Sequence, residues 1–578
     1  MRRTILLLGT FVSTAVAQTA AQAPSSTTSE LRDTVDRYAA DRAALLRRYD
    51  VPLSPARQER MRAHYEEWRS RLRAMDFDRL GLEGRVDYVL LDHEVTYQLA
   101  LLDREARQLA EMRPWLPFAG AIMDLAEARR RMETPDGRRL ALTLTALARS
   151  VDSVRQAMPA RTAGRADPRD RIVGRRAANS LDDLQRALRG WYRFSADYDP
   201  VFTWWAEKPY QDADAALTAY LDYLQKTVIG VRPGEAEPII GDPIGVEGLR
   251  ADLAYEMIPY TIEELIAIAD REFAWCEAEF RRAARDMGLG DDWKAALERV
   301  KQSYVPPGDQ PRLVRDLANE AIAWVEERGL VTVPPLAKEI WRMEMIPPER
   351  QRVSPFFLGG EVFQVSYPTD AMAHADKLMS LRGNNPHFSR AVAHHELIPG
   401  HHLQGFMTAR YQPHRRVFST PFWGEGWALW WEMLMWDMGF PRSPEDRIGM
   451  LFWRAHRAAR IIFSLRFHQG TMTPQEAVGF LVDRVGHERA NAEGEVRRSL
   501  AGDYSPLYQA AYMLGGLQFR ALHTELVTSG RMTDRAFHDA ILQGGQMPVE
   551  MVRARLTGQT LRRDHTAGWR FADEPGKR

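Results

Sequence analysis

The sequence predicts a mostly α-helical fold with one small β element, and three observations carry that reading. Apolar residues recur at helical spacing, as in the stripe Leu91, Val95, Leu99 and Leu102. Helix-start signatures recur along the chain, each a capping residue followed by Pro or by Glu three positions on. Only two runs, Val331 to Pro335 and Gly360 to Pro368, are short, β-branched or aromatic, and bounded by Gly and Pro.

Taken in order, residues 1–23 read as an export signal. Met1-Arg2-Arg3 is basic, Ile5 to Val16 is mainly apolar, and Ala15-Val16-Ala17 and Ala21-Gln22-Ala23 are both suitable cleavage sites. The apolar run is shorter than the ~20 residues that span a bilayer. Export to the periplasm or medium is therefore expected, with no membrane span after cleavage. No Cys lies nearby, so lipid anchoring is not expected. Residues 24–30 form a polar tether. Residues 31–330 form a helical region. In it, Ser54-Pro55 starts a helix to about Phe77, Arg85 to Met112 forms a long one, and Thr134-Pro135 starts one to about Met158. The capping box Thr261-Ile262-Glu263-Glu264 opens another to about Met287, and Pro311 to Gly329 follows. Residues 331–578 hold the two strand-like runs and then more helices. The two regions either divide near 330 or pack as one body. The run Gly360 to Tyr367 reads equally as an edge strand that a peptide substrate joins or as a structural hairpin.

Composition narrows the function. The 578 residues are 45% hydrophobic and 27% charged, with zero formal net charge, the balance of a folded soluble protein. Interspersed charges give no basic face for nucleic acid. The basic run Arg129-Arg130-Arg131 reads as a solvated helix face. The single cysteine, Cys276, sits in a helical pattern and reads as a core thiol.

The chemistry concentrates in His394-His395-Glu396-Leu397-Ile398-Pro399-Gly400-His401-His402, four of the fifteen histidines. Catalytic zinc takes three protein ligands, commonly His and Glu, and keeps one position open. In an H-E-x-x-H helix, His residues at i and i+4 share the metal and the Glu beside the first handles the proton of water. Here Pro399 stands at i+4. His401 lies on another face of an ideal helix, and His402 lies ~10.5 Å along the same face. Pro399 removes an N–H and clashes with the turn before it, while Gly400 permits unusual backbone angles. A Pro-Gly bulge would carry His401 into the i+4 place. His395 and His401 are thus the expected ligands, with His402 the rival to His401. Glu425 and Glu432, seven apart in an aromatic helix, need a partner to be buried. Glu425 is the expected third ligand. Glu432 either shares that role, holds a ligand imidazole, or lies on a wet edge.

The run His395 to Gln404, with Glu425-Gly426-Trp427-Ala428-Leu429, resembles the bacterial domain-of-unknown-function 885 family. More distantly it is similar to helical gluzincin peptidases such as thimet oligopeptidase and angiotensin-converting enzyme. The resemblance implies a gluzincin-like helical cleft with the small sheet or ribbon beside a single Zn2+. It implies Glu425 as the third ligand and Tyr512 as oxyanion donor. His468, Arg460 and Arg498 match family positions and are candidate substrate contacts; Arg460 and Arg498 each read first as half of a structural ion pair and second as a bidentate partner for a substrate C-terminal carboxylate. Ser464 and Tyr508 depart from the expected Asp and Gln, which puts the substrate pocket in question.

The expected function is a zinc metallopeptidase acting on oligopeptides, with Glu396 as general base. The alternatives are a zinc hydrolase of another amide or ester, such as a cell-wall fragment, and a silent peptide-binding protein. A di-iron bundle would need Glu-x-x-His pairs, and no histidine here has an acid three residues before it.

Overall fold

Most of the expected start signals begin helices in the computed structural model, which describes residues 28–158, 168–351, 356–502 and 504–572. The expected export signal and the first part of the tether lie outside these residues. The Ser54 hydroxyl accepts from the Arg57 N–H and caps the helix Pro55–Ala74. Thr261 and Glu264 form the capping box of Ile262–Asp286. Leu82–Met112 and Gln310–Glu327 fall where the periodicity places them. One start shifts. Asp136, not Thr134, caps the helix Gly137–Ala157, accepting from the Arg139 N–H. A carboxylate suits the positive end of a helix, and Thr134, preceding a proline, is biased towards extended backbone.

The β element differs more. Val331 to Pro335 forms no strand; Pro335 instead begins the short helix Pro335–Ile340. The strands are β1 (Arg342–Met345) and β2 (Val362–Val365), paired in parallel with Arg342 opposite Val362. Leu358 bridges β2 from the other side, exchanging both backbone hydrogen bonds with Gln364 at 3.0 and 2.8 Å. The middle of β2 is therefore not a free edge for a peptide. The sequence Arg-Met-Glu-Met of β1 has no β-branched residue, so neither its existence nor the parallel pairing was readable.

Two hydrophobic cores organise the helices. One gathers buried residues from Leu31 to Leu102 and from Leu249 to Leu561, so chain on both sides of position 330 shares it. The other is built from Met112 to Ile229. Cys276 lies buried in the first. Among the described residues no helix is long and apolar enough to cross a membrane.

Buried polar contacts tie distant segments together. Arg415, fully buried, bonds Asp87 at 2.7 Å, Glu83 at 2.8 Å and the Gly544 carbonyl at 2.7 Å. His414 holds the other oxygen of Asp87 at 2.8 Å. Burial alone would raise the Asp87 pKa, but Arg415 and His414 pull it below the usual carboxylate range. Farther along, the Thr420 hydroxyl accepts from the Phe422 N–H, capping the helix Pro421–Asp437, and donates to buried Glu256.

Burial pushes the Glu256 carboxyl up to about 8. The folded state therefore keeps a proton that the unfolded chain releases at the ordinary carboxylate pKa. This contribution is complete below that pKa and is lost as pH rises through the folded value. The expected outcome is that wild-type stability falls from about pH 5 to about pH 8, by up to ~1.4 kcal/mol per pH unit from this group. Glu256→Gln should flatten that decline. Urea unfolding at a series of pH values measures it, and parallel curves for the two proteins would refute it.

Candidate metal centre

The His395 helix, Pro386–Glu396, is fixed at its start. Asn385 caps it by accepting from His387 and Phe388 N–H groups. His387 Nδ1 lies 2.8 Å from Asp446, and Arg390 Nε lies 3.4 Å from the same carboxylate. Burial would raise the Asp446 pKa, but these partners hold it down at about 2.

The expected bulge within one helix is instead a break between two. The first helix stops at Glu396, and a second, His401–Thr408, starts after Gly400. The Gly400 N–H donates to the His394 carbonyl at 3.0 Å, and the His402 N–H returns to the Leu397 carbonyl at 3.0 Å. A Cβ on Gly400 would stand 1.8 Å from the His395 carbonyl oxygen and 2.6 Å from that of His394. Only glycine fits so tight a return. Trp427 Nε1 donates to the Pro399 carbonyl at 2.9 Å and locks the turn to the next helix.

The break brings His401 to His395. One ligand atom from each of His395, His401 and Glu425 lies within 4.8 Å of the others. Glu425 Oε2 is 3.1 Å from His401 Nε2 and 3.5 Å from His395 Nε2. His395 Nδ1 donates to Glu432 at 2.6 Å, which leaves Nε2 facing the group. Glu432 is thus the imidazole holder of the sequence alternatives, and it is buried rather than on a wet edge. His402 turns away, donating from Nε2 to the Ala337 carbonyl at 2.7 Å. His394 is also turned away, bonded at 3.0 Å to the Arg390 carbonyl.

Electrostatics follow the geometry. Burial opposes a charged imidazole, yet Glu425 and Glu432 hold His395 up to about 9, and Glu425 raises His401. Burial raises Glu396. Against their own burial, Glu425 is held well below its usual range by His401 and His395, and Glu432 is lowered by Arg457 and His395. Two imidazoles thus meet three buried or half-buried acids, a donor set with the chemistry of a divalent cation site.

The helix Tyr508–His523 closes this wall. It passes so close to Pro421–Asp437 that a Cβ on Gly426 would lie 2.6 Å from the Gly515 Cα. Tyr508 donates its hydroxyl to Glu425 Oε1. The Tyr512 ring stacks 6.0 Å from that of His395, and burial pushes its hydroxyl up to about 12. A cleft of about 700 Å³ is lined by His395, Glu396, His401, Glu425, Tyr512, Arg460 and Arg498, together with residues of the 356–364 segment. The Gly360 N–H donates to the Glu396 carbonyl at 3.2 Å, seating that segment on the motif.

His468 is not brought to the site. It lies outside the cleft lining, and burial and Arg104 lower it to about 4. Its match to a family position gave no information on depth along the helix Pro444–Gln469. Conversely, Arg457 and Tyr504 line the cleft unanticipated, and Tyr508 was noted only as a departure. Two signals were available. Arg457 precedes Arg460 by three residues, and Tyr508 precedes Tyr512 by four, spacings that share a helix face.

A mostly helical chain with a buried His-Glu group on a broken helix defines the class of fold and site, and comparison with known sequences then gives the family. Residues 26–556 match the model described as bacterial protein of unknown function (DUF885), and the chain belongs to that family. No curated protein matches it. Two solved structures share the fold. One, described as a "putative lipoprotein of unknown function" from Shewanella oneidensis, has a TM-score of 0.67 at 17% identity and covers 90% of this chain and 98% of its own. The other, described as a "putative lipoprotein" from Colwellia psychrerythraea, has a TM-score of 0.58 at 14% identity and covers 91% and 97%.

The tight return at Gly400 predicts that Gly400→Ala destabilises the fold by at least about 1–3 kcal/mol, the usual range for overpacking, because the carbonyls it meets are backbone. Urea denaturation of both proteins tests this, and equal midpoints would refute it.

Proposed function

We propose that this chain is an exported zinc-dependent peptidase with a gluzincin-like cleft, hydrolysing peptide bonds of oligopeptides. The observation that carries the reading is the convergence of His395, His401 and Glu425 in an open cleft with Glu396 adjacent in sequence. Export is supported by the signal-like residues 1–23 and by the lipoprotein descriptions of the two structural relatives.

His395, His401 and Glu425 would hold the zinc, which when bound polarises a carbonyl and lowers the pKa of water. Glu432 fixes the tautomer and orientation of His395 through Nδ1. Tyr508 orients Glu425. Glu396 takes the proton of the attacking water and passes it to the departing amine. Tyr512, on the same cleft wall as His395, donates to the developing oxyanion.

Two outcomes are expected. Wild type should bind about one zinc by elemental analysis and cut a mixed peptide library. Glu396→Gln should keep the metal but lose about 10²–10⁴-fold in rate, and His401→Ala, unlike His402→Ala, should lose the metal. A zinc protein that cuts no peptide would point instead to another amide or ester, or to a binding role; a protein that takes up no zinc would sink the reading. Separately, Glu432→Gln should weaken zinc binding about 10–100-fold in a chelator competition, and unchanged affinity would remove Glu432 from the site.

A further inference from the structure

Among the described residues, five of the twelve exposed large apolar side chains lie between positions 194 and 205. They surround the turn between the helices Pro168–Ser195 and Pro200–Tyr223. Trp204 is 83% exposed and Tyr198 85%; Phe194 and Val201 are more than half exposed and Trp205 somewhat less. Val201, Trp204 and Trp205, at i, i+3 and i+4, share one helix face. A second segment runs beside them. Arg129 lies over the Phe194 ring at 5.3 Å, and a Cβ on Gly137 would stand 2.9 Å from Trp205 Cδ1. Met132, in the turn between these two contacts, is also exposed.

These rings are not left outside for want of a core. Just beneath them Phe202 is buried, with the Trp191 ring edge-on to it at 5.5 Å. The end is also well anchored, since Asp136 and Asp199 each cap a helix by accepting backbone N–H groups. At ~150–250 Å² per aromatic side chain, the exposed fractions leave on the order of 600 Å² of apolar surface. That is at the top of the ~300–600 Å² that a monomer normally shows in one patch, and short of the ~800 Å² that each partner gives to a stable dimer. Charge at this end leans positive. Arg129, Arg138, Arg139 and Arg193 make no ion pair within 4 Å among the described residues, against two such acids, Asp197 and Glu207, while Arg130 and Arg131 are held by Asp50 and Glu133. Trp and Tyr, with an apolar body and a polar edge, favour the headgroup level of a bilayer, and guanidiniums pair with phosphate.

We propose that this helical tip docks on an anionic bilayer surface, seating Tyr198, Val201, Trp204 and Trp205 at headgroup depth with Arg138, Arg139 and Arg193 on lipid phosphates. The docking is peripheral, and it stands whether or not the metal centre is a peptidase. It also leaves the cleft open, because none of these residues lines it. The 24-residue helix Pro200–Tyr223 runs roughly 36 Å from the tip, and the chain beyond it meets the cleft side of the molecule, where Arg497 donates to the Glu237 carbonyl at 2.6 Å.

The test mixes the mature chain, from residue 24, with vesicles of phosphatidylcholine alone or with phosphatidylglycerol added, and measures bound protein by sedimentation. Binding to the anionic vesicles should be at least about 10-fold tighter. Trp204→Glu with Tyr198→Glu should weaken it by at least about 10-fold. Both side chains are too exposed to support the fold, so the urea midpoint should not move. Arg138→Gln with Arg139→Gln should reduce the preference for the anionic vesicles and leave the weaker binding to the neutral ones. Equal binding to both vesicles, no binding to either at millimolar lipid, or binding unaltered by both pairs of substitutions overturns the proposal. So does a dimer in sedimentation velocity that Trp204→Glu with Tyr198→Glu dissolves while wild type ignores vesicles, since the tip then belongs to a second copy of the chain.

Discussion

The site depends on where one helix stops. Had the helix of His395 continued, His401 would point elsewhere and Glu425 would face a single imidazole. The backbone turns back at Leu397 to Gly400, and the Gly400 N–H finds the His394 carbonyl, which satisfies a donor that the break would otherwise strand. Everything downstream takes its position from that return. Trp427 fastens it to the helix of Glu425 and Glu432, and the close crossing at Gly426 and Gly515 presses Tyr508 and Tyr512 onto the same wall.

A second requirement is that buried charge be matched. Asp87 with Arg415 and His414, Glu272 with Arg454 at 3.0 Å, and Glu495 with Arg460 are all enclosed pairs. The Arg415 group joins the helix Leu82–Met112 to the segment after the motif and to Gly544 near the last helix. Segments hundreds of residues apart are therefore fastened to one another. The metal-facing group stands apart from these pairs because its acids outnumber its imidazoles, with Arg457 only 3.5 Å from the Glu432 that holds His395.

Much of the helical scaffold was legible because capping and periodicity are local. Thr261 with Glu264 needs only four residues to declare itself. The sheet was not legible, because β1 is held by pairing with a segment twenty residues on rather than by its own composition. In the site, residue type and order identified His395, His401 and Glu425 as a possible group. The residues could not decide between His401 and His402, since that depends on the direction in which the chain leaves Pro399. His468 shows the opposite failure: a family-matched histidine on the cleft helix, placed outside the cleft lining by its position along the axis.

Tyr508 stands where a glutamine was expected, and its hydroxyl occupies Glu425 Oε1 while Oε2 faces the two imidazoles. A carboxylate with one oxygen already engaged has low denticity towards anything else. In the proposed site it would meet a cation through Oε2, the oxygen turned to the two imidazoles. Under the proposed function His395, His401 and Glu425 would each offer one atom, the three-ligand set of an open catalytic zinc site. The phenol, itself part of the cleft lining, would thus keep Glu425 one-handed and leave room beside it.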